Sequence, residues 1–131
     1  MLYGLSFART SIQNKKRVII VEGYFEVIAL HMNGFREAIA SCGTALTPEH
    51  VKILHPLTQR AIAMFDMDEA GVRAAEKSLP IFWKAGIEPL RLSLGDAKDP
   101  DVYFLEHSAE DFENFLRNVE PLFLTKLNNL W

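Results

Sequence analysis

Carboxylates follow three of the apolar runs in this 131-residue sequence. They are Glu22, then Asp66 with Asp68, then Asp99 with Asp101. Residues i and i+2 of an extended segment point the same way, roughly 6–7 Å apart. Asp66 and Asp68 can therefore face one small volume. Carboxylates so close together need a counter-charge. Because Mg²⁺ and similar hard cations bind carboxylates together with substrate phosphates, this pattern indicates a Mg²⁺ or Mn²⁺ site.

Each acid also has a structural explanation when it is taken alone. Asp68 could cap the helix that follows it, and Glu22 precedes a helix whose dipole favours an acid. Asp99 and Asp101 suit a turn and a helix cap. The metal hypothesis depends on their recurrence at successive strand ends. The sequence has no GxxxxGK[ST], no HExxH and no Cys/His cluster, so P-loop and zinc chemistry have no support.

Three further residues could contact a phosphate. Gly43 and Thr44 form a glycine-containing turn that leads towards a helix, where backbone N–H groups suit an anion. Lys98 stands beside the acids, although a surface lysine is more often simply solvated. Cys42 is more often a buried small side chain than a nucleophile, and no His–Asp partner is evident.

Four apolar runs predict strands, and the patterns between them predict helices. Because the runs are continuous rather than alternating, the strands should be covered on both faces, as in a parallel sheet. The predicted strands are 17–21, 37–41, 60–65 and 88–93. The predicted helices are 24–32, one that starts at Pro48 with Thr47 as its cap, and 69–85, ended by Gly86. This alternation predicts an open, mainly parallel four-stranded α/β sheet with helices on both faces. In such a sheet, functional residues lie just past the carboxyl ends of the strands.

The two ends of the sequence differ from this core. Residues 2–13 predict an N-terminal helix, and residues 101–129 predict two or three C-terminal helices with Pro121 between the later ones. We expect residues 1–116 to form the core of one domain and residues 117–131 to be a helical extension of it.

The charge is unevenly distributed. The net charge is −3, but residues 1–65 carry +3 and residues 66–131 carry −6. A protein that binds nucleic acid by charge alone should be basic. Any contact with nucleic acid would therefore depend on metal ions or on a basic surface elsewhere. No apolar run of 18 residues predicts a membrane span, no secretory signal is evident, and a single cysteine fits a cytoplasmic location.

Four segments of the sequence resemble the Toprim domain of bacterial DnaG-type primases. They are VEGYFEVIAL at 21–30, GTALT at 43–47, FDMDEAG at 65–71 and DPD at 99–101. The resemblance runs from about residue 2 to about residue 116. The Glu-Gly-Tyr run and the Gly-Thr-Ala-Leu-Thr turn are more specific than the Asp-x-Asp motif.

The resemblance implies a Toprim fold and a metal-dependent, DNA-templated RNA polymerase that makes primers for replication. It assigns Glu22 to the glutamate of the family's motif, Asp66 and Asp68 to its metal ligands, and Asp99 and Asp101 to an outer pair of acids. Glu26 stands where these primases usually have aspartate, and it would be a longer acid in the same metal-binding role. Met67 occupies a position where glycine is common.

The resemblance also implies partners. These are single-stranded DNA template, ribonucleoside triphosphates, RNA primer and, through regions outside this sequence, the replicative helicase. We expect the sequence to be a central piece of a longer protein. Two alternatives stay open: another phosphoryl-transfer enzyme, either of a different Toprim type or similar to the haloacid dehalogenases, and a non-catalytic scaffold. The dehalogenase motif prefers Thr or Val where this sequence has Ala70.

Overall fold

Four parallel strands form the centre of the computed structural model, which describes residues 3–41, 47–64, 77, 80–91, 100–117 and 120–121. Strands β1 to β5 are Val18–Val21, Ala38–Ala40, Arg60–Ala63, Glu88–Arg91 and Glu120–Pro121. Helices α1 to α5 are Leu5–Lys15, Tyr24–Met32, Pro48–Leu54, Pro100–Glu106 and Ala109–Arg117. Over these described stretches, no helix has the length and apolar character needed to cross a bilayer.

The sheet has the strand order β2-β1-β3-β4-β5. The first four strands run parallel, and β5 runs antiparallel to β4. Ile20 of β1 pairs with Ile39 of β2 on one side and with Ala63 of β3 on the other. The predicted parallel four-stranded sheet is therefore confirmed, with β1 between two neighbours.

Both faces of the sheet are covered, as the continuous apolar runs predict. Every residue of β1 is fully buried, and its side chains alternate between two core clusters. Ile19 and Val21 pack with α2, α4 and α5, whereas Val18 and Ile20 pack with α1 and α3. Burial of each such side chain contributes roughly 1.5–3 kcal/mol. The core therefore fixes the position and direction of β1.

Helices α2 and α3 begin where the sequence predicts. Helix α2 has the expected bounds, Tyr24–Met32. Thr47 caps α3: its Oγ1 accepts a hydrogen bond from the His50 N–H at 3.2 Å, and Pro48 is the first helical residue. The helix predicted at 69–85 is only partly described. Lys77 and residues 80–84 are helical, and Gly86 follows with φ +76°.

Helix α1 starts later than the predicted residue 2 and spans Leu5–Lys15. Tyr3 forms an antiparallel bridge with Ala40, with hydrogen bonds of 2.9 and 3.0 Å. Gly4 follows with φ +86°, a left-handed conformation that side chains disfavour. Residue 3 thus pairs with β2, and the helix begins two residues later, after the turn at Gly4.

Helices α4 and α5 confirm two of the predicted C-terminal helices, and the helix predicted after Pro121 lies outside the described residues. Pro121 itself lies in β5, a strand that the sequence does not predict, beside Leu90. Proline is tolerated there because the outer side of an edge strand needs no N–H donor. The proposed division at residue 116 stays a prediction.

Candidate active site

The carboxyl ends of β1, β2 and β3 lie side by side. Beyond the last β2 residue, the Ser41 N–H donates to the Val21 carbonyl at 3.2 Å. Beyond β3, the Met64 N–H donates to the Ile20 carbonyl at 2.9 Å. Glu22 is the residue after Val21, so it leaves the sheet between the chains that continue from β2 and β3. The structure thus places the first predicted acid at the centre of the expected edge.

Glu22 is half-buried, and it is joined to α2 through Gly23. Gly23 is extended, with φ −122° and ψ 156°, and the helix starts at the next residue. The acid is therefore fixed from two sides, by a fully buried strand before it and by a helix packed on the same core after it.

Glu26 contacts the residue that joins Glu22 to α2. Its Oε1 accepts a hydrogen bond from the Gly23 N–H at 3.2 Å. Glu26 is the third residue of α2, from which a glutamate can reach back to the start of its own helix. The structure thus gives Glu26 a contact within the loop, in addition to the metal role that the sequence resemblance implies.

Helix α4 connects the last acidic segment to the same core. Asp101 is the second residue of α4, and only its backbone position is described. Tyr103 is buried in the core cluster that also holds Val27 and Leu30 of α2. The helix that carries Asp101 therefore packs against the helix that follows Glu22.

Most of the other predicted site residues lie outside the described residues. They are Asp66, Asp68, Asp99, Lys98, Gly43 and Thr44. In the described part, no three His, Cys, Asp or Glu side chains are grouped closely enough to hold a metal ion. A cation at this edge would therefore need acids beyond Glu22 and Glu26. Glu22 fits such a site chemically, because a carboxylate is the oxygen donor that Mg²⁺ prefers.

Thr47, the cap residue of α3, is the last residue of the 43–47 motif that contains Gly43 and Thr44. The His50 Nδ1 accepts a hydrogen bond from the Thr47 N–H at 3.3 Å, which requires an unprotonated nitrogen. Burial lowers the pKa of His50, because the charged ring loses hydration. The neutral ring is thus the form that the fold favours.

The opposite edge of the sheet carries a charge network that the sequence analysis missed. Glu37 is fully buried, and its carboxylate meets the Arg17 Nε at 2.7 Å and the Lys15 Nζ at 3.2 Å. Arg17 also donates two hydrogen bonds, of 2.7 and 2.9 Å, to Glu113 of α5. The hydrogen bonds from Arg17 hold the pKa of Glu113 below its ordinary value. The network joins the start of β1 to α5.

A surface of exposed apolar side chains lies between α1 and α2. Phe7 and Met32 are 82% and 81% exposed, and both line a groove of about 680 Å³. Tyr3 also lines the groove, and its ring lies 5.7 Å from that of Tyr24. The apolar surface therefore extends to the first residue of α2, two positions after Glu22.

Comparison with known proteins identifies this architecture. The Toprim-like family matches residues 19–104, and the chain belongs to that family. A DNA primase from Synechococcus elongatus is 37% identical over 130 residues, which is 95% of this chain and 19% of the relative. The chain spans about a fifth to a quarter of the length of the curated relatives that it matches.

Solved structures give the same result. The catalytic core of the Escherichia coli primase matches with a TM-score of 0.87 and 33% identity, covering 99% of this chain and 42% of that one. A DnaG primase catalytic domain bound to single-stranded DNA matches with a TM-score of 0.86 and 33% identity, again over 99% and 42%. The resemblance to the Toprim domain of bacterial primases is therefore confirmed.

Proposed function

We propose that the chain is the metal-binding catalytic core of a DNA primase, a DNA-templated RNA polymerase that makes primers for replication. The observation that carries the proposal is the position of Glu22. It stands at the carboxyl end of β1, an inner strand with a parallel neighbour on each side, in a chain that matches the E. coli primase catalytic core over 99% of its length. The carboxyl edge is where open α/β sheets bind their ligands.

In the proposed reaction, a primer 3′-hydroxyl attacks the α-phosphate of an incoming ribonucleoside triphosphate. The new O–P bond extends the primer, the bond between the α- and β-phosphates breaks so that pyrophosphate leaves, and the hydroxyl proton passes to solvent. Glu22, Asp66 and Asp68 would hold Mg²⁺ or Mn²⁺, which would supply activation of the hydroxyl and stabilisation of charge on the leaving oxygens. Glu22 contributes a carboxylate whose backbone is fixed before substrate binds, which is the preorganisation that electrostatic catalysis requires.

The remaining predicted residues would bind the triphosphate. Asp99 and Asp101 would help to position a further ion. Lys98 would meet a phosphate directly, and Gly43 and Thr44 would offer backbone N–H groups to one. The capped start of α3 supports the last assignment, because it fixes the chain directly after that turn.

The template would be single-stranded DNA, which the matched DnaG catalytic domain binds. With a net charge of −3, this chain is poorly suited to bind a DNA backbone alone. We infer that a basic surface outside the chain binds the template and that regions outside the chain contact the helicase. We place the protein in the cytoplasm.

Nucleotidyl transfer is favoured over the two alternatives. The Toprim-like match and the similarity to primase catalytic cores support a primase rather than a phosphatase of the haloacid dehalogenase type. A scaffold role without chemistry would not require a half-buried acid at the carboxyl end of the inner strand β1. A generic aryl phosphate tests for phosphatase activity directly.

Metal binding by the chain tests the proposal. Mn²⁺ should bind the wild type, detected by electron paramagnetic resonance, and binding should be lost in Asp66→Asn with Asp68→Asn. Glu22→Gln should weaken it. The control is Glu49→Gln, an exposed acid on α3 that should not change it. Equal Mn²⁺ affinity in all of these proteins would remove the three acids from the metal role.

A further inference from the structure

We propose that Glu26 is a positioning residue, which holds the Glu22–Gly23 peptide in place, rather than a metal ligand. The inference rests on the proposed function, because it concerns how Glu22 is presented to the cation. It departs from the role that the sequence resemblance implies for this position.

The contact itself is the first argument. Glu26 Oε1 accepts a hydrogen bond from the Gly23 N–H at 3.2 Å. This amide lies before the first residue of α2, where backbone donors have no partner within the helix. A carboxylate at this end of a helix is also favoured by the helix dipole. Glu26 therefore stabilises the start of α2 without any metal ion.

The amide that Glu26 binds is part of the peptide that joins Glu22 to Gly23. The Gly23 N–H and the Glu22 carbonyl share one planar peptide unit. Holding that N–H fixes the plane, and with it the last backbone rotation of Glu22. Because the preceding strand is fully buried, this rotation is the remaining backbone freedom at the junction. The hydrogen bond thus fixes the chain directly after Glu22, while the buried strand fixes the chain before it.

Gly23 leaves space for this arrangement. A Cβ atom built on Gly23 would lie 3.3 Å from Glu26 Oε1, closer than ordinary van der Waals contact. A larger residue would require the carboxylate, at the end of a flexible side chain, to shift by a few tenths of an ångström. The backbone at Gly23 is extended, so conformational strain does not demand glycine there.

The acceptor oxygen and the charge separate the two roles. At the third position of a helix, an acidic or amide side chain can reach back to the amide before the helix, as Asp111 of α5 does when it accepts from the Ser108 N–H at 3.0 Å. A positioning residue should tolerate Gln, which keeps an acceptor oxygen, and should fail as Met, which has none. A metal ligand should fail in both variants, because both lose the charge.

Two measurements on the chain test the inference. In Glu26→Gln, we expect Mn²⁺ affinity and hydrogen exchange of the Gly23 amide to stay within about threefold of the wild type. In Glu26→Met, loss of one hydrogen bond should speed exchange about tenfold and weaken Mn²⁺ binding several-fold.

The outcomes are distinct. Mn²⁺ affinity lost in Glu26→Gln to the same extent as in Glu26→Met would overturn the inference and make Glu26 a ligand. Unchanged Gly23 exchange in Glu26→Met would overturn it as well. If the wild type binds no Mn²⁺, the proposed metal role fails, while Gly23 exchange still decides whether Glu26 holds the peptide.

Discussion

Replacing Arg17 by methionine should strongly destabilise the fold, because Arg17 is the main neutralising partner of a buried acid. Glu37 has no exposed surface, and its second partner, Lys15, lies 3.2 Å away on a side chain that is 37% exposed. Removing one partner of a buried ion pair costs about 3–5 kcal/mol. The hydrogen bonds to the partly exposed Glu113 add about 1 kcal/mol at most.

We expect Arg17→Met to lower the free energy of unfolding by about 4 kcal/mol, against about 5–15 kcal/mol for a whole domain. The corresponding fall in Tm is roughly 15 °C for a domain of this size. Urea unfolding followed by circular dichroism measures the loss. Arg36→Met is the matched control, since that side chain is exposed, and it should change stability by no more than about 0.5 kcal/mol.

The double variant Arg17→Met with Glu37→Met tests the cause. It removes the buried charge together with its partner and fills the space with apolar atoms, so it should recover most of the lost stability. A loss below about 1 kcal/mol in Arg17→Met would refute the argument that Glu37 depends on this pair. A double variant as unstable as the single one would show that packing, rather than charge, causes the loss.

Three other predictions follow from single contacts. In the full-length protein, Glu22→Gln should lower primer synthesis on single-stranded DNA about 10²–10³-fold, with an unchanged thermal melt, because a preorganised charge is lost. Since burial lowers the pKa of His50, stability should be complete above the ordinary value of 6.5 and should fall as the pH drops below it. His50→Gln keeps an acceptor at the cap, so thermal melts across this range should show a weaker pH dependence. Gly86→Ala and Gly34→Ala should each cost about 1–2 kcal/mol in urea unfolding, because both backbones are left-handed.

The sequence predicts the central sheet well because its signals are local. All four predicted apolar runs contain a strand, and α2 has the predicted bounds. Strand β5 has no comparable signal. It consists of two residues, one of them a proline, and it exists only because it meets β4. Its register depends on the tertiary fold rather than on any pattern within residues 101–129.

The candidate site also has features with a local sequence signal and features without one. The position of Glu22 follows from the order of strands and helices, so sequence reasoning finds it. Convergence of Asp66 and Asp68 on the same point stays a prediction. The contact between Gly23 and Glu26 has a sequence signal, since the two residues have the spacing of a helix cap and the third residue of its helix. The contacts of Arg17 have no sequence signal, because its partners Glu37 and Glu113 are 20 and 96 residues away.

Because β1 runs from the charge network towards the candidate site, the two groups of charges lie at opposite ends of one strand. Arg17 precedes β1 and Glu22 follows it, and an extended chain of five steps spans about 16 Å. That distance exceeds the screening length of about 8–10 Å for charges near solvent. The charge network at one edge therefore has little electrostatic influence on the acid at the other. Strand β1, whose side chains are buried in the two core clusters, lies between them, and the charges at its two ends act independently.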